Sequence, residues 1–312
     1  DDAGGFQTAG GEEVMQAKFP FREENMSLEE FRRKYPAQTM TLGNGKPFTY
    51  RCYRNPKAAA TVVLLTGGIG LSDLFYLHFE SFAMDFSVLT FDYQSQFANN
   101  SEFSDAAAEL LQRLGEKAWL VGQSLGGIVA QIIASRHPEV VEGLVLSNTC
   151  SLAKDMGDEA YGHLKKMIEG QKKSKRFLSV LPFSLFKRLM KWAVMKKKTD
   201  GFTPQEKAVM EELCGAMLEL LTKSYEYHMI DFLCDVENYF GMTKQDFARW
   251  DDKVLLILSE DDTTFNQACK DSLIAIMPHP TIVTSLTGGH LALLVRLERY
   301  AKLVTEYIRE RT

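Results

Sequence analysis

The chain has 312 residues, and 36 Lys and Arg against 41 Asp and Glu give it a formal net charge of −5 at pH 7. This length suits one large α/β domain with an inserted segment. Because the balance is acidic and the sequence has no cationic arm, nucleic acid is not expected as a partner.

The N-terminal residues 1–36 are predicted to be an extension with one short helix. Ser27 followed by Glu30 is the pattern of a capping box at a helix start. The first 19 residues have neither the basic start nor the apolar stretch of a secretory signal. Residues 177–195 are apolar but contain Pro182 and three basic residues, so no integral membrane segment is expected.

The five cysteines are isolated from one another in the sequence, at Cys52, Cys150, Cys214, Cys234 and Cys269. Neither they nor the histidines have ligand-like spacing, so we expect no metal, no organic cofactor and no disulfide framework. The pattern is typical of a reducing, cytoplasmic environment. The sequence carries no signal for the oligomeric state.

The centre of the chain contains short apolar runs typical of strands buried on both faces of a parallel sheet. The turn Asn44-Gly45-Lys46 first separates two candidate hairpin strands. The buried runs then follow at 61–65, 86–91, 118–121, 141–146, 254–258 and 281–284, with helical segments between most of them. This order predicts an α/β fold with a doubly wound, mostly parallel sheet.

Between residues 151 and 250 the strand pattern disappears and helical periodicity replaces it. Strand runs resume at Val254, so this segment is predicted to be a helical cap inserted into one core formed by 37–150 and 251–312. Phe183, Phe186, Leu189, Met190 and Trp192 either line a pocket or serve ordinary packing. The cap's lysines form a solvated face, or they draw it to an anionic membrane surface or an acidic ligand.

The strongest chemical signal is Gly122-Gln123-Ser124-Leu125-Gly126-Gly127, between the strand AWLV and the helical run IVAQIIASRH. At such a strand-to-helix turn a serine projects from the carboxyl edge of the sheet, and flanking glycines let strand and helix approach closely. The earlier Gly-rich loop 66–70 admits a phosphate-binding interpretation, but it lacks GxGxxG spacing and a Gly-Lys-Ser/Thr sequence.

With its GQSLGG and TGGIG motifs, the chain resembles the α/β-hydrolase superfamily over most of residues 37–312. The resemblance implies a serine hydrolase with Ser124 as nucleophile and an oxyanion hole formed by the backbone N–H groups of Gly68 and Leu125. It also implies His290 as general base, because Gly288-Gly289-His290 follows the last predicted strand and precedes the final helix.

The superfamily's acid follows a strand between the serine and the histidine, which implies Asp262, with Asp261 as the alternative. The sequence departs from the superfamily pattern in two places. Thr66 begins the oxyanion loop where relatives have His or Gly, and Asp92-Tyr93-Gln94 stands where many have Asp-Arg-Gly. We interpret Asp92 as a structural hydrogen-bonding residue because it precedes the nucleophile.

The expected activity is hydrolysis of a carboxylic ester of small to medium size and largely apolar character, through an acyl-enzyme. Thioester, lactone, amide and carbon–carbon bond hydrolysis remain open, because one triad serves all of them. The alternative is a ligand-binding or interaction protein on the hydrolase fold with little turnover.

Overall fold

The computed structural model describes residues 26–199 and 202–312 and contains an eight-stranded sheet. Its strands are β1 (Gln38–Thr41), β2 (Pro47–Tyr53), β3 (Thr61–Leu65), β4 (Ser87–Thr90), β5 (Ala118–Gln123), β6 (Val141–Ser147), β7 (Val254–Ile257) and β8 (Thr281–Val283). In the order β1-β2-β4-β3-β5-β6-β7-β8, the pairs from β4 to β8 are parallel, and the two pairs that involve β2 are antiparallel. The predicted doubly wound, mostly parallel sheet is confirmed.

Helices cover both faces of this sheet. They are α1 (Leu28–Lys34), α2 (Tyr76–Ala83), α3 (Asn100–Leu114), α4 (Leu125–Arg136), α5 (Asp158–Val180), α6 (Phe183–Lys198), α7 (Pro204–Leu220), α8 (Lys223–Asp235), α9 (Lys244–Phe247), α10 (Gln267–Ile276), α11 (Ala292–Val295) and α12 (Leu297–Arg309). Within 26–199 and 202–312, none of them combines the length and apolarity that crossing a bilayer requires.

The side chains of each buried strand point alternately into two apolar clusters, one on each face of the sheet, as a sheet covered by helices on both faces requires. In β3, Val63 and Leu65 join one apolar cluster with α3 and α4, whereas Val62 and Leu64 join the other with α2 and α12. The strand is buried on both faces for this reason, which explains its unbroken apolar sequence TVVLL.

The helices α5 to α9 lie between β6 and β7, which pair with each other in parallel despite the hundred or so residues that separate them in sequence. Within this segment α5 packs against α8 and α6 packs against α7. The predicted domain boundaries at residues 150 and 251 stay predictions.

The end of the chain differs from the single final helix that its apolar pattern predicts. A 3-10 turn at Gly289–Leu291 is followed by α11 and then, after a break at Arg296, by α12. Arg296 has non-helical backbone angles, and its guanidinium pairs with Glu206 of α7. The apolar periodicity of the sequence continues through Arg296, so it does not reveal a break of one residue.

A buried histidine in α2 makes the protein sensitive to acid. The Nε2–H of His78 donates to the Leu293 carbonyl at 3.2 Å, and its Nδ1 has no hydrogen-bond partner among the described residues. Burial therefore lowers the pKa of His78 to about 4. The folded state keeps this imidazole neutral while the unfolded chain protonates below its ordinary pKa of 6.5, so stability falls as pH decreases between these values.

We expect the His78 imidazole to cost about 3 kcal/mol of unfolding free energy between pH 7 and pH 4. His78→Gln removes the titration and should flatten this loss, measured by urea unfolding at several pH values. The same change at the exposed His279 leaves the buried imidazole in place and should keep the loss. If the unfolding free energy of His78→Gln fell with decreasing pH as steeply as that of the wild type, burial would not suppress protonation of His78.

Candidate active site

Ser124 occupies a strained turn between β5 and α4. Its backbone angles are φ 54° and ψ −120°, in a region that non-glycine residues avoid. Such a conformation costs on the order of 1–3 kcal/mol and persists where surrounding contacts impose it. Here the Ser124 N–H donates to the Ser147 carbonyl at 3.0 Å, and the Thr149 hydroxyl donates to the Ser124 carbonyl at 2.6 Å.

The glycines beside Ser124 are required by the close packing of strand and helix. A Cβ atom on Gly122 would lie 2.3 Å from the Gly126 carbonyl oxygen, and one on Gly126 would lie 2.0 Å from the Leu65 carbonyl oxygen. Neither neighbour is a flexible side chain, so any larger residue would displace backbone. The contact explains why both glycines accompany this serine.

The structure brings the three residues Ser124, His290 and Asp262 into one chain of contacts. His290 Nε2 lies 3.0 Å from Ser124 Oγ, and His290 Nδ1 lies 3.0 Å from Asp262 Oδ2. Since a carboxylate can only accept, Nδ1 carries the proton and Nε2 is the accepting nitrogen, which faces the serine hydroxyl and also lies 3.3 Å from the Gln123 amide nitrogen. This arrangement can activate a serine as a nucleophile.

Asp262 is held as an anion in a buried position. Its side chain has 0% exposure, and the Thr264 N–H donates to Oδ1 at 2.7 Å. Burial by itself raises the pKa of Asp262, but the hydrogen bonds from His290 and Thr264 outweigh it and hold the pKa below its ordinary value. Asp262 therefore stays ionised across the neutral range.

Asp261 has a different position from its neighbour. Its Oδ2 accepts the Gly288 N–H at 2.8 Å, which ties it to the loop that carries His290 and not to the imidazole. Of the two carboxylates that the sequence leaves open, the one bonded to the histidine is Asp262.

Asn148, which belongs to none of the predicted motifs, joins the loops that carry Asp262 and His290. It follows β6 with φ 40°, and its Nδ2 donates to the Gly289 carbonyl at 2.9 Å and to Ser259 Oγ at 3.0 Å. Its Oδ1 accepts the Ser259 N–H at 2.8 Å. The signal that could have found it is an asparagine directly after a buried strand, at the sheet edge where Ser124 also lies.

Gly68 and Leu125 line the same cavity as Ser124, and their role as an oxyanion hole stays a prediction. Leu125 is the first residue of α4, so its N–H has no carbonyl partner within the helix. The loop of Gly68 is fixed by a Tyr225 hydroxyl that donates to the Gly70 carbonyl at 2.7 Å. The hydroxyl of Tyr93, which belongs to the segment Asp92-Tyr93-Gln94, donates to the Thr66 carbonyl at 2.6 Å.

Two further polar residues, Asp92 and His228, make structural contacts. Asp92 Oδ1 accepts the Ser72 N–H at 2.7 Å and the Ser72 hydroxyl at 2.6 Å, which agrees with its structural interpretation. His228 Nε2 donates to the Tyr93 carbonyl at 3.0 Å and joins α8 to the core.

A partly open cavity lies beside Ser124. It is lined by Gly68, Ser124, Leu125, Ile128, Cys150, Leu164, Met167, Ile168, Leu233, Val236, Phe240 and Phe265. Apart from the Ser124 hydroxyl and the Cys150 thiol, the lining side chains carry only hydrocarbon or thioether groups. The cavity therefore suits an uncharged, apolar group next to the serine.

The cap contributes to this cavity through α5, α8 and the residues Val236 and Phe240 that follow α8, and not through α6. Of the five α6 residues considered from the sequence, Phe186 is buried in a small apolar cluster, whereas Leu189 and Trp192 are exposed. The pocket-lining alternative for α6 is therefore wrong for the described cavity. Within 26–199 and 202–312, no group of three or more His, Cys, Asp or Glu side chains could hold a metal ion.

Comparisons with known proteins give the following relatives. The sequence profile of a family described as having the alpha/beta hydrolase fold matches residues 60–172. RutD of Agrobacterium fabrum, named as a candidate carbamate hydrolase, is 30% identical over 107 residues, which are 31% of this chain and 41% of RutD. RutD of Caulobacter vibrioides is 27% identical over 155 residues, 41% of this chain and 58% of that protein. The matches thus span less than two thirds of these relatives.

Solved structures share the fold at low sequence identity. A thermophilic esterase from Thermogutta terrifontis has a TM-score of 0.67 at 15% identity, with 88% of this chain and 98% of that chain covered. An enol-lactonase from Burkholderia xenovorans has a TM-score of 0.64 at 15% identity, with 87% and 100% covered. At these identities the likeness concerns the fold.

Proposed function

Because the chain belongs to the α/β-hydrolase superfamily, we propose that it is a serine hydrolase that cleaves carboxylic esters through an acyl-enzyme. The observation that carries the proposal is the contact chain from Asp262 through His290 to Ser124. The esterase and the enol-lactonase among its structural neighbours are named for cleaving acyl–oxygen bonds, which supports an ester as substrate.

In the proposed mechanism, Ser124 Oγ attacks the ester carbonyl while His290 Nε2 takes the hydroxyl proton. The carbonyl π electrons move to oxygen, where the N–H groups of Leu125 and Gly68 stabilise the negative charge. A donor in such a site contributes about 3–4 kcal/mol to the transition state. The tetrahedral intermediate then collapses, and His290 gives the proton to the departing alkoxide.

Deacylation repeats these steps with water in place of the serine. Water loses a proton to His290 Nε2 and attacks the acyl carbon, and Ser124 leaves as an alkoxide that regains the proton. Asp262 fixes the imidazole tautomer in both halves and stabilises the imidazolium. The imidazole is the one proton carrier that both half-reactions need.

The test is covalent labelling with a fluorophosphonate, followed by intact-mass spectrometry and peptide mapping. Ser124 Oγ should attack phosphorus and expel fluoride, giving one adduct per chain at Ser124. Ser124→Ala and His290→Ala should lose the adduct, whereas Ser95→Ala, at an exposed serine, should keep it. A folded wild-type chain that takes no label would overturn the proposal and favour a ligand-binding protein with little turnover.

The cavity predicts how activity depends on acyl-chain length. Each methylene buried in it should raise kcat/KM about fourfold, because its transfer from water is worth about 0.8 kcal/mol, until the cavity is full. Para-nitrophenyl esters of increasing chain length measure this dependence. Faster turnover of acetyl or charged acyl groups than of uncharged medium chains would contradict it.

A matched pair of substitutions locates the chain-length effect. Met167→Trp narrows the cavity and should lower kcat/KM for the longest accepted chain about tenfold or more, with little change for acetyl. Met84→Trp makes the same chemical change at an exposed site away from the cavity and should change neither.

A further inference from the structure

The cap contains a strongly basic segment within an acidic protein. Residues 171–199 include no Asp or Glu, although the whole chain has a net charge of −5. The segment's basic residues are Lys172, Lys173, Lys175, Arg176, Lys187, Arg188, Lys191 and Lys196–Lys198. Positive charge is thus concentrated at the end of α5 and along α6.

The same two helices expose large apolar side chains. On α5, Phe177 is 60% and Val180 is 76% exposed, and on α6, Leu185 is 39%, Leu189 is 48% and Trp192 is 58% exposed. The α6 residues stand at positions i, i+4 and i+7, so they lie along one side of that helix. We call these five residues, together with Arg176, Arg188 and Lys196, the basic-apolar face.

Some cations of the segment are used inside the protein and others are not. Lys172 pairs with Glu237, Lys175 with Asp231 and Lys191 with Glu211. Within 26–199 and 202–312, the three basic residues of the face make no ion pair, and Lys196 lies 4.9 Å from the centroid of the Trp192 ring. An indole ring beside a lysine ammonium is suited to an interface between hydrocarbon and anionic groups.

We propose that the basic-apolar face binds the surface of an anionic phospholipid bilayer. Apolar groups that enter the lipid boundary, flanked by Lys and Arg that meet anionic headgroups, are the features of an interfacial helix. A second copy of this chain is a poorer occupant, because a two-fold contact would bring the same positive charges together. A nucleic acid would match the charge but leave the exposed Leu and Val side chains without a partner.

The position of α6 relates the proposed bilayer contact to the candidate active site. This helix packs against the 3-10 turn Gly289–Leu291, which carries His290. The helix that carries the exposed α6 residues of the basic-apolar face therefore also contacts the turn of the candidate active site. Apolar esters concentrate in bilayers, so the contact would raise the local concentration of the substrates that the cavity suits.

Trp192 supplies the readout for a binding experiment. The other two tryptophans, Trp119 and Trp250, are buried, so a change in solvent exposure at the protein surface acts on the emission of Trp192. Vesicles of phosphatidylcholine that contain phosphatidylglycerol at a mole fraction of about 0.3 have a strongly negative surface potential. They should shift the Trp192 emission to the blue, and the protein should float with them in a density gradient. Vesicles of phosphatidylcholine alone, or 1 M salt (about a 3 Å screening length), should weaken both effects.

Variants separate charge from apolar insertion. Arg188→Gln with Lys196→Gln should weaken partition into the anionic vesicles about 25-fold, at about fivefold per charge. Leu189→Ser should weaken it about tenfold. The control Lys244→Gln with Lys302→Gln removes two exposed lysines elsewhere and should leave partition unchanged.

Three results would overturn the proposal. One is no blue shift and no flotation with anionic vesicles, or equal binding to both vesicle types. Another is a dimer in light scattering without lipid that becomes a monomer in Leu189→Ser, which would assign the face to a second copy. The third is a Trp192 response to duplex DNA but not to vesicles. None of these measurements uses ester hydrolysis, so they stand apart from the proposed function.

Discussion

Alanine at position 124 is expected to lower kcat for ester hydrolysis by a factor on the order of 10⁴–10⁶. The Ser124 hydroxyl is 3.0 Å from His290 Nε2, and no acyl-enzyme can form without it. His290→Ala should cost a similar factor, because the hydroxyl then has no base to take its proton. Steady-state rates with a medium-chain ester, corrected for spontaneous hydrolysis, measure both.

The double variant makes this prediction specific. Since serine and histidine act in one step, Ser124→Ala with His290→Ala should be about as inactive as either single variant. Losses that multiply would mean that the two residues act independently, which contradicts the mechanism. Thermal unfolding of each variant checks that activity is not lost through unfolding, because His290→Ala removes the imidazole that pairs with the buried Asp262 carboxylate.

The sheet could be predicted because its signal is local. Strands β3 to β7 are buried on both faces, and each appears in the sequence as a short apolar run that needs no knowledge of its neighbours. The turn at Ser124 is predicted for the same reason, since strand, glycines, serine and helix are contiguous. The strand-to-helix turn at Ser124 can therefore be inferred from the six contiguous residues 122–127.

The remainder of the site depends on contacts between distant residues. Asn148 reaches Gly289 and Ser259 across more than a hundred residues, and an isolated asparagine has no pattern that reveals this. The same limit applies to the cap. The amphipathic sequence of α6 does not show whether its apolar side chains enter a pocket or remain exposed, and the structure leaves Leu189 and Trp192 exposed.

The choice between the two neighbouring carboxylates leads to the second large prediction. Asp262→Asn should lower kcat by about 10⁴, because the amide can donate to His290 Nδ1 and stabilise the tautomer that carries its proton on Nε2. In that tautomer the imidazole cannot accept the proton of Ser124. The loss falls on kcat with little change in KM, since Asp262 lies outside the cavity that suits the acyl group.

Asp261→Asn is the matched control, because it removes the same charge one residue away. Asp261 accepts the Gly288 N–H, and an asparagine carbonyl oxygen can accept it too, so the expected loss in kcat is less than about tenfold, the value of a neutral hydrogen bond. Comparing kcat for the two variants separates tautomer control from a general effect of negative charge near His290. Equal losses would mean that charge alone matters, and a larger loss in Asp261→Asn would transfer the acid's role to Asp261.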